Sequence, residues 1–249
     1  MSDPFPLYLP PEARRLFQTE SLLRRFANNA HWNASTRLLE FHGSLGGLAL
    51  AKALNCTLTV VEPEVRVIDA LRDRARAAGM LEKVTFLNQH AAGSSFGVGT
   101  FDGIFSFGRV VGVLDQVAST WRTWLAPRGR AAITTVVKVG RLPSEQALAA
   151  WEKRLGAALL LPRDALLAVE AQGFEPEMVE SAGDLELDEY YRELEAVLSK
   201  VSDGPAQKVL RDEISLHRGL NGKTGVTYAA MVFRRKEPDE KPPASRDGG

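Results

Sequence analysis

The feature of the sequence that most constrains the fold is an alternation of short β-rich runs with amphipathic helical runs. It opens with a strand predicted at 37–41, a helix at 45–54, a second strand at 57–62 and a second helix at 64–78. Strands connected through helices in this way lie parallel, and the helices cover both faces of the sheet. The pattern therefore predicts an α/β fold with a Rossmann-like, doubly wound sheet.

The alternation continues along the chain and predicts seven strands in all. The remaining strands are predicted at 84–87, 103–106, 130–137, 174–180 and 226–234, and the next helices at 115–125, 144–155 and 163–172. In the last run Val226, Tyr228, Ala230 and Val232 alternate with other residues, which suits a strand running antiparallel to its neighbours. We therefore expect a mostly parallel seven-stranded sheet with an antiparallel last strand.

The length of the chain favours a single domain, which we place at 1–236. Its first part, 11–30, has apolar residues at helical spacing and is predicted to form one or two helices. A helical insertion or lid is predicted at 188–222, before the last strand. Residues 237–249 are rich in proline, glycine and charge, so they are predicted to be a disordered tail.

Charge and composition exclude several classes of function. The chain has 31 basic and 31 acidic side chains, so no large positive field exists to hold nucleic acid or an acidic membrane. Cys56 is the only cysteine and lies in an apolar run, which favours a buried thiol. The first residues do not resemble a secretory signal, and no apolar run approaches the roughly 20 residues of a membrane span. We expect a cytoplasmic protein whose partner is a small molecule.

The most informative stretch runs from Leu38 to Gly47. An apolar strand ends in the acid Glu40, a glycine-containing turn follows, and a helix begins. Such a turn lets the backbone approach a ligand and directs helix N–H groups at it. The second strand ends at Glu62, where a carboxylate can accept both hydroxyls of a ribose. Two simpler interpretations stay open, since any tight β-to-α turn needs glycine and Glu62 with Pro63 also suits a helix start.

Later segments carry a resemblance to a known family. The resemblance is carried by Glu40, Gly46, Gly47 and Glu62 and by three later segments, Phe101-Asp102-Gly103-Ile104, Leu125-Ala126-Pro127-Arg128-Gly129-Arg130 and Ala171-Gln172-Gly173-Phe174. In this order and spacing the chain resembles class I S-adenosylmethionine-dependent methyltransferases of the small-molecule type, from about Arg37 to Arg235. The segment from Glu189 through Glu213 to Val232 resembles a bacterial subgroup with a helical insertion before the last strand.

The resemblance implies transfer of a methyl group from S-adenosylmethionine to an O, N or C atom of a small molecule. Glu62 would bind the ribose, Glu40 and the turn the amino-acid end, and His90 with Ala91 the adenine. The implied cofactor contacts are Glu40, His42, Gly43, Ser44, Gly46, Glu62, Pro63, His90, Ala91 and Phe107, and the implied substrate contacts are Arg109, Trp151 and Tyr190. No catalytic acid or base and no metal ligand is implied, because a sulfonium is already activated.

The chain also departs from the family pattern. His42 and Ser44 stand where the family has glycine, so a Cβ there can collide with the ligand or demand a costly φ. His90 replaces an aspartate, and only a neutral imidazole could accept the same hydrogen bond from adenine. Gly43, where Cys, Ala or Ser is usual, could relax the turn of an altered pocket that still binds the cofactor.

The alternative is a catalytically inactive, methyltransferase-like binding or regulatory module, which would then have a protein partner. Metal binding by His42 and His90 is a weaker hypothesis, because they lie in separate loops without ligand spacing. Arg109 has a simpler interpretation as a surface residue, and Trp151 and Tyr190 as core residues. The sequence leaves the methyl acceptor and the oligomeric state open.

Overall fold

The computed structural model of the chain describes residues 20–107, 114–140, 144–199, 204–220 and 224–237. Its strands are β1 Arg37–Phe41, β2 Thr57–Val61, β3 Val84–Leu87, β4 Phe101–Ser106, β5 Leu125–Lys138, β6 Phe174–Ser181 and β7 Val226–Arg235. Its α-helices are α1 Glu20–Asn29, α2 Leu45–Leu54, α3 Val65–Ala77, α4 Leu114–Trp124, α5 Glu145–Leu155, α6 Pro162–Ala171, α7 Asp184–Leu198 and α8 Pro205–Gly219.

The seven strands form one sheet in the order β3-β2-β1-β4-β5-β7-β6. Strands β1 to β5 pair in parallel, and β7 lies antiparallel between β5 and β6. The predicted fold class is therefore confirmed, including the antiparallel last strand. The strand order reverses between β1 and β4, because the chain builds outward from β1 to β3 and then crosses to the other side. Ligands of open α/β sheets bind at such a reversal.

Helices cover both faces of the sheet, as the alternation of buried side chains along the strands requires. On one face Leu38, Val60 and Phe105 pack with α1, α2 and α3. On the other face Leu39 and Ile104 pack with α4 and α6. A third apolar cluster joins α5, α7 and α8 to the carboxyl end of β5 and the start of β7. We call α5, α7 and α8 the helical cap.

Helix starts follow local capping chemistry. Ser44 and Ser144 cap α2 and α5 by accepting hydrogen bonds from backbone N–H groups three residues ahead, and Glu64 caps α3. At its end, α2 has a left-handed residue, Asn55, which satisfies the last carbonyl groups. Most of the predicted helices and strands begin and end within a few residues of the observed ones.

Several predicted boundaries differ from the structure or lie outside it. The largest difference is at β5, which starts at Leu125 and not at residue 130. The second strand ends at Val61, so Glu62 is the first residue beyond it. The predicted insertion at 188–222 starts at Asp184 and contains two helices, α7 and α8. Of the predicted N-terminal helices at 11–30, the described part is α1, and the predicted tail lies outside the described residues apart from Glu237. Within the described chain, no helix has the length and apolar character needed to cross a membrane.

Candidate functional site

The candidate site is the crevice at the carboxyl ends of β1 and β2, beside the start of α2. The turn that forms one side of it begins at His42, whose φ of 61° is left-handed. The backbone N–H of His42 donates to the Val61 carbonyl at 3.0 Å, which ties the turn to the end of β2. The conformation for which glycine is favoured is therefore present at position 42, although the residue is a half-buried histidine.

Position 44 does not require glycine, because the backbone of Ser44 is extended with φ −139°. Its hydroxyl accepts a hydrogen bond from the Gly47 N–H at 3.0 Å and donates to Oε1 of Glu40 at 2.5 Å. The side chain is 1% exposed. Ser44 thus caps α2 from inside the protein, and its hydroxyl is directed at the sheet.

Glu40 is completely buried at the end of β1, under the first turn of α2. Its carboxylate lies so close to Gly47 that a Cβ at position 47 would overlap it. The positive end of the helix dipole favours an anion at this place. Gly47 is therefore needed for the carboxylate below it, a role that the motif alone did not reveal.

Gly43 is also needed for packing. A Cβ built on it would lie 2.7 Å from Cδ1 of Leu71 and 2.7 Å from Cγ1 of Val60. The turn is consequently pressed against β2 and α3, and the Cys, Ala or Ser that is usual in the family would not fit without a shift. The sequence contained a sign of this packing, because position 43 has glycine where the family pattern has a larger residue.

Glu62 lies directly after β2 and is also completely buried. Its Oε1 accepts a hydrogen bond from the Glu64 N–H at 2.9 Å, and its own N–H donates to the Leu87 carbonyl at 3.0 Å. The side-chain amide of Asn88 donates to the carbonyls of Glu62 and Pro63, at 3.1 and 2.8 Å. Glu62 is therefore a fixed, buried carboxylate and not a solvated one, and Asn88 is a supporting residue that the sequence analysis missed.

The predicted adenine contacts lie across the crevice, after β3. His90 is exposed and precedes a short 3-10 turn at Ala91–Gly93, and its carbonyl accepts a hydrogen bond from the Ser94 hydroxyl at 3.1 Å. Ala91 is half-buried against the apolar cluster of β1 and α4. Three adjacent strands, β1, β2 and β3, are thus followed by His42, Glu62 and His90, respectively. In the described chain no group of three or more His, Cys, Asp or Glu side chains is placed to hold a metal ion.

Phe107 follows β4, where the resemblance places the methyl-transfer position. Its side chain is 1% exposed, stacks on Phe26 of α1 at a centroid distance of 5.2 Å and packs in a tilted arrangement against Phe105 at 4.6 Å. Its ring is therefore part of the packing under α1. Arg109 lies outside the described residues, so its predicted contact with substrate stays a prediction.

Trp151 and Tyr190 lie in the helical cap, both buried, around the carboxylate of Glu213. Oε1 of Glu213 accepts hydrogen bonds from the hydroxyls of Tyr190 and Tyr228, at 3.1 and 3.0 Å. Its Oε2 accepts one from Arg154 at 3.1 Å, and the Arg154 guanidinium also stacks over the Trp151 ring. This network joins α5, α7 and α8 to β7. The predicted substrate contacts of Trp151 and Tyr190 stay predictions.

Comparison with known proteins shows the fold. No protein-family model and no curated protein matches the chain, whereas many solved structures do. A SAM-dependent methyltransferase from Thiobacillus denitrificans, in complex with S-adenosyl-L-homocysteine, has a TM-score of 0.70 at 15% identity and covers 92% of this chain and 100% of its own. A geranyl diphosphate C-methyltransferase from Streptomyces coelicolor gives 0.65 at 14% identity, covering 86% and 80%.

A third similar structure carries a different activity. The cyclase SpnF has a TM-score of 0.69 at 19% identity, covering 87% of this chain and 80% of its own. Identities at this level establish shared architecture, and a fold hosts more than one chemistry. The chain therefore has the Rossmann-like fold of class I S-adenosylmethionine-dependent methyltransferases, and its activity must be argued from the crevice.

Proposed function

We propose that the chain is an S-adenosylmethionine-dependent methyltransferase that acts on a small molecule. The observation that carries the proposal is the buried carboxylate of Glu62, fixed directly after β2 and beside the left-handed turn at His42. A carboxylate in this position has the chemistry to accept the two hydroxyl groups of a ribose. The similar structures support this interpretation, because one of them contains S-adenosyl-L-homocysteine.

The residues of the crevice fit such a cofactor. Oε1 of Glu62 accepts the Glu64 N–H, and a carboxylate has about four acceptor sites in all, so this one bond does not use its full acceptor capacity. The turn keeps its left-handed backbone at His42, and the hydroxyl of Ser44 is directed inward at Glu40. The backbone at position 42 thus has the conformation that glycine favours, and the hydroxyl of Ser44 is used in the cap of α2 and the bond to Glu40. His90 and Ala91 would border the adenine.

When bound, the cofactor would supply an electrophilic methyl group on a positively charged sulfur. A bond from the acceptor atom to the methyl carbon forms as the carbon–sulfur bond breaks, the electron pair stays on sulfur, and the acceptor releases its proton to a base or to water. The chain has to align donor and acceptor and to exclude water. Glu62 and the turn perform the first task by holding the donor in one orientation.

The proposal is tested by titrating the protein with S-adenosyl-L-homocysteine. A ligand at about 100 times its dissociation constant adds about 2.7 kcal/mol to the unfolding free energy, which raises Tm by about 5–10 °C in a chain of this size. Glu62→Gln removes the charge that strengthens hydrogen bonds to ribose, so calorimetry should give a dissociation constant at least about tenfold higher.

Glu64→Gln is the matched control, since it removes a carboxylate two residues away that caps α3 and pairs with the exposed Arg66. Its affinity for S-adenosyl-L-homocysteine should equal that of the wild type. If millimolar ligand leaves Tm unchanged, the crevice does not hold this cofactor, and the alternative of an inactive binding or regulatory module is favoured. If both variants bind as the wild type does, the ligand does not bind to Glu62 and the assignment of this site is wrong.

A further inference from the structure

A side chain from the end of β3 holds the backbone of the segment between β2 and α3. Glu62 and Pro63 lie after the last residue of β2 and before Glu64, the cap of α3, so their carbonyl groups belong to neither the strand nor the helix. Nδ2 of Asn88 donates to both carbonyls, at 3.1 and 2.8 Å. Both contacted atoms only accept hydrogen bonds, so the nitrogen of the amide and not its oxygen must face them.

The bonds from Asn88 complete a set that fixes Glu62 at three points. Its N–H donates to the Leu87 carbonyl at 3.0 Å, its carbonyl accepts from Asn88, and its Oε1 accepts from the Glu64 N–H at 2.9 Å. The backbone is thus held on both sides of the Cα atom, and one carboxylate oxygen is held as well. Because a carboxylate is planar, the direction of the second oxygen is then set.

Burial differs sharply between the two side chains. Asn88 is exposed, whereas Glu62 is completely buried. Loss of an exposed hydrogen bond costs little unfolding free energy, because water takes the place of the lost partner. Binding is more demanding, since a group that holds a ligand has to lie within about 0.5 Å of its productive position. The contacts of Asn88 should therefore matter more for ligand affinity than for stability.

We propose that Asn88 is a positioning residue that orients the Glu62 carboxylate toward the two hydroxyl groups of a ribose. The inference rests on the proposed function, in which Glu62 binds the ribose of S-adenosylmethionine. Asn88 acts through the backbone of Glu62 and Pro63 and needs no contact with the ligand. Its contribution to affinity should therefore be largest for a ligand with both ribose hydroxyls and smaller for one that lacks a hydroxyl.

The test compares S-adenosyl-L-homocysteine with its 2′-deoxy analogue by calorimetry, in the wild type and in Asn88→Ala. The variant should bind S-adenosyl-L-homocysteine about tenfold more weakly, as for the loss of one charge-assisted hydrogen bond between ligand and carboxylate. It should bind the 2′-deoxy analogue at most about threefold more weakly. A general loosening of the protein would weaken both ligands by the same factor.

Two further variants separate the hydrogen bonds of Asn88 from its size. Asn88→Asp keeps the size but replaces the donor by an acceptor, so that a carboxylate would face two carbonyl oxygens. It should bind S-adenosyl-L-homocysteine at least as weakly as Asn88→Ala does. Asn29→Ala is the matched control, because Nδ2 of Asn29 donates to a backbone carbonyl of α1, that of Arg25, at 2.8 Å. This variant should bind both ligands as the wild type does.

Hydrogen exchange of the protein without cofactor gives a measurement that does not depend on the ligand. The N–H of Glu64 donates to Oε1 of Glu62, so it reports whether the carboxylate is held. In Asn88→Ala it should exchange faster than in the wild type. The N–H of Val67, which donates to the Glu64 carbonyl at 3.0 Å in the first turn of α3, should exchange at the same rate in both proteins.

The inference is overturned if the exchange of the Glu64 N–H is unchanged, if Asn88→Asp binds S-adenosyl-L-homocysteine as the wild type does, or if Asn88→Ala weakens both ligands equally. These results are separable from the proposed function. If the wild type and Asn88→Ala bind S-adenosyl-L-homocysteine equally well, only the role of Asn88 is wrong. If the wild type does not bind this ligand, the proposed function fails and the inference fails with it.

Discussion

Ser44 offers the sharpest test of how the turn is held together. Its hydroxyl makes two hydrogen bonds, one from the Gly47 N–H and one to the buried carboxylate of Glu40. Ser144 is a matched serine at the start of α5, whose hydroxyl accepts a bond from the Ala147 N–H at 3.3 Å. Both serines cap a helix, and Ser44 in addition bonds to a buried carboxylate. Replacing each by alanine therefore separates the cap from the bond to Glu40.

The expected magnitudes follow from these contacts. Loss of a serine cap costs about 0.5–2 kcal/mol, and loss of a hydrogen bond to a charged group costs about 1.5–3 kcal/mol more. Ser144→Ala should thus lower the unfolding free energy by about 0.5–2 kcal/mol and Ser44→Ala by about 2–5 kcal/mol. The difference between the variants corresponds to about 3–12 °C in Tm.

The assay is urea unfolding followed by circular dichroism, with equal m-values required for a direct comparison of the variants. Combining Ser44→Ala with Glu40→Gln then gives the coupling between the two side chains, which should exceed about 0.5 kcal/mol for residues in direct contact. If Ser44→Ala is no more destabilising than Ser144→Ala, or if the coupling vanishes, the hydroxyl does not hold the carboxylate and the reasoning about the turn fails.

Two further predictions concern packing and pH. Gly47→Ala should lower the unfolding free energy by about 1–3 kcal/mol because its Cβ meets the Glu40 carboxylate, whereas Gly219→Ala, in α8 with open space around it, should not destabilise the protein. Urea unfolding of both variants checks this, and equal effects would contradict the overlap. Burial lowers the pKa of His217, which stacks on Tyr191, so the unfolded chain binds the proton more readily. The unfolding free energy should therefore fall as pH drops below about 6.5, and His217→Gln should reduce this dependence when both proteins are unfolded between about pH 5 and pH 8.

Much of the architecture could be predicted from the sequence because it depends on periodicity. The alternation of strands and helices predicted the sheet. The position of an acid at the end of the second predicted strand indicated that Glu62 lies at the crevice. The direction of the Ser44 side chain could not be predicted, because it depends on which residue starts α2. The orientation of Phe107 could not be predicted either, since it depends on where α1 packs.

The buried network in the helical cap shows a signal that was present and missed. Leu210, Glu213, Ile214 and His217 are spaced i, i+3, i+4 and i+7 on α8, so the acid lies on the apolar face of the helix. A carboxylate on such a face must find donors inside the protein. Its actual partners, Arg154 and the two tyrosines, are distant in sequence, and only the packing of the cap brings them together.

The turn at His42 shows how the backbone conformation that glycine favours is kept in this chain although the glycine is replaced. A left-handed histidine costs on the order of 1 kcal/mol relative to glycine, and such strain persists only where the surroundings determine the conformation. Here they do so from both sides, because the His42 N–H is fixed on Val61 and Gly43 is pressed between Val60 and Leu71. A ligand in the crevice meets both the path of the backbone and the side chain of residue 42, and the contacts of the turn preserve the first of these. The shape that glycine usually provides can therefore survive the loss of glycine, provided that the neighbouring contacts hold the turn in place.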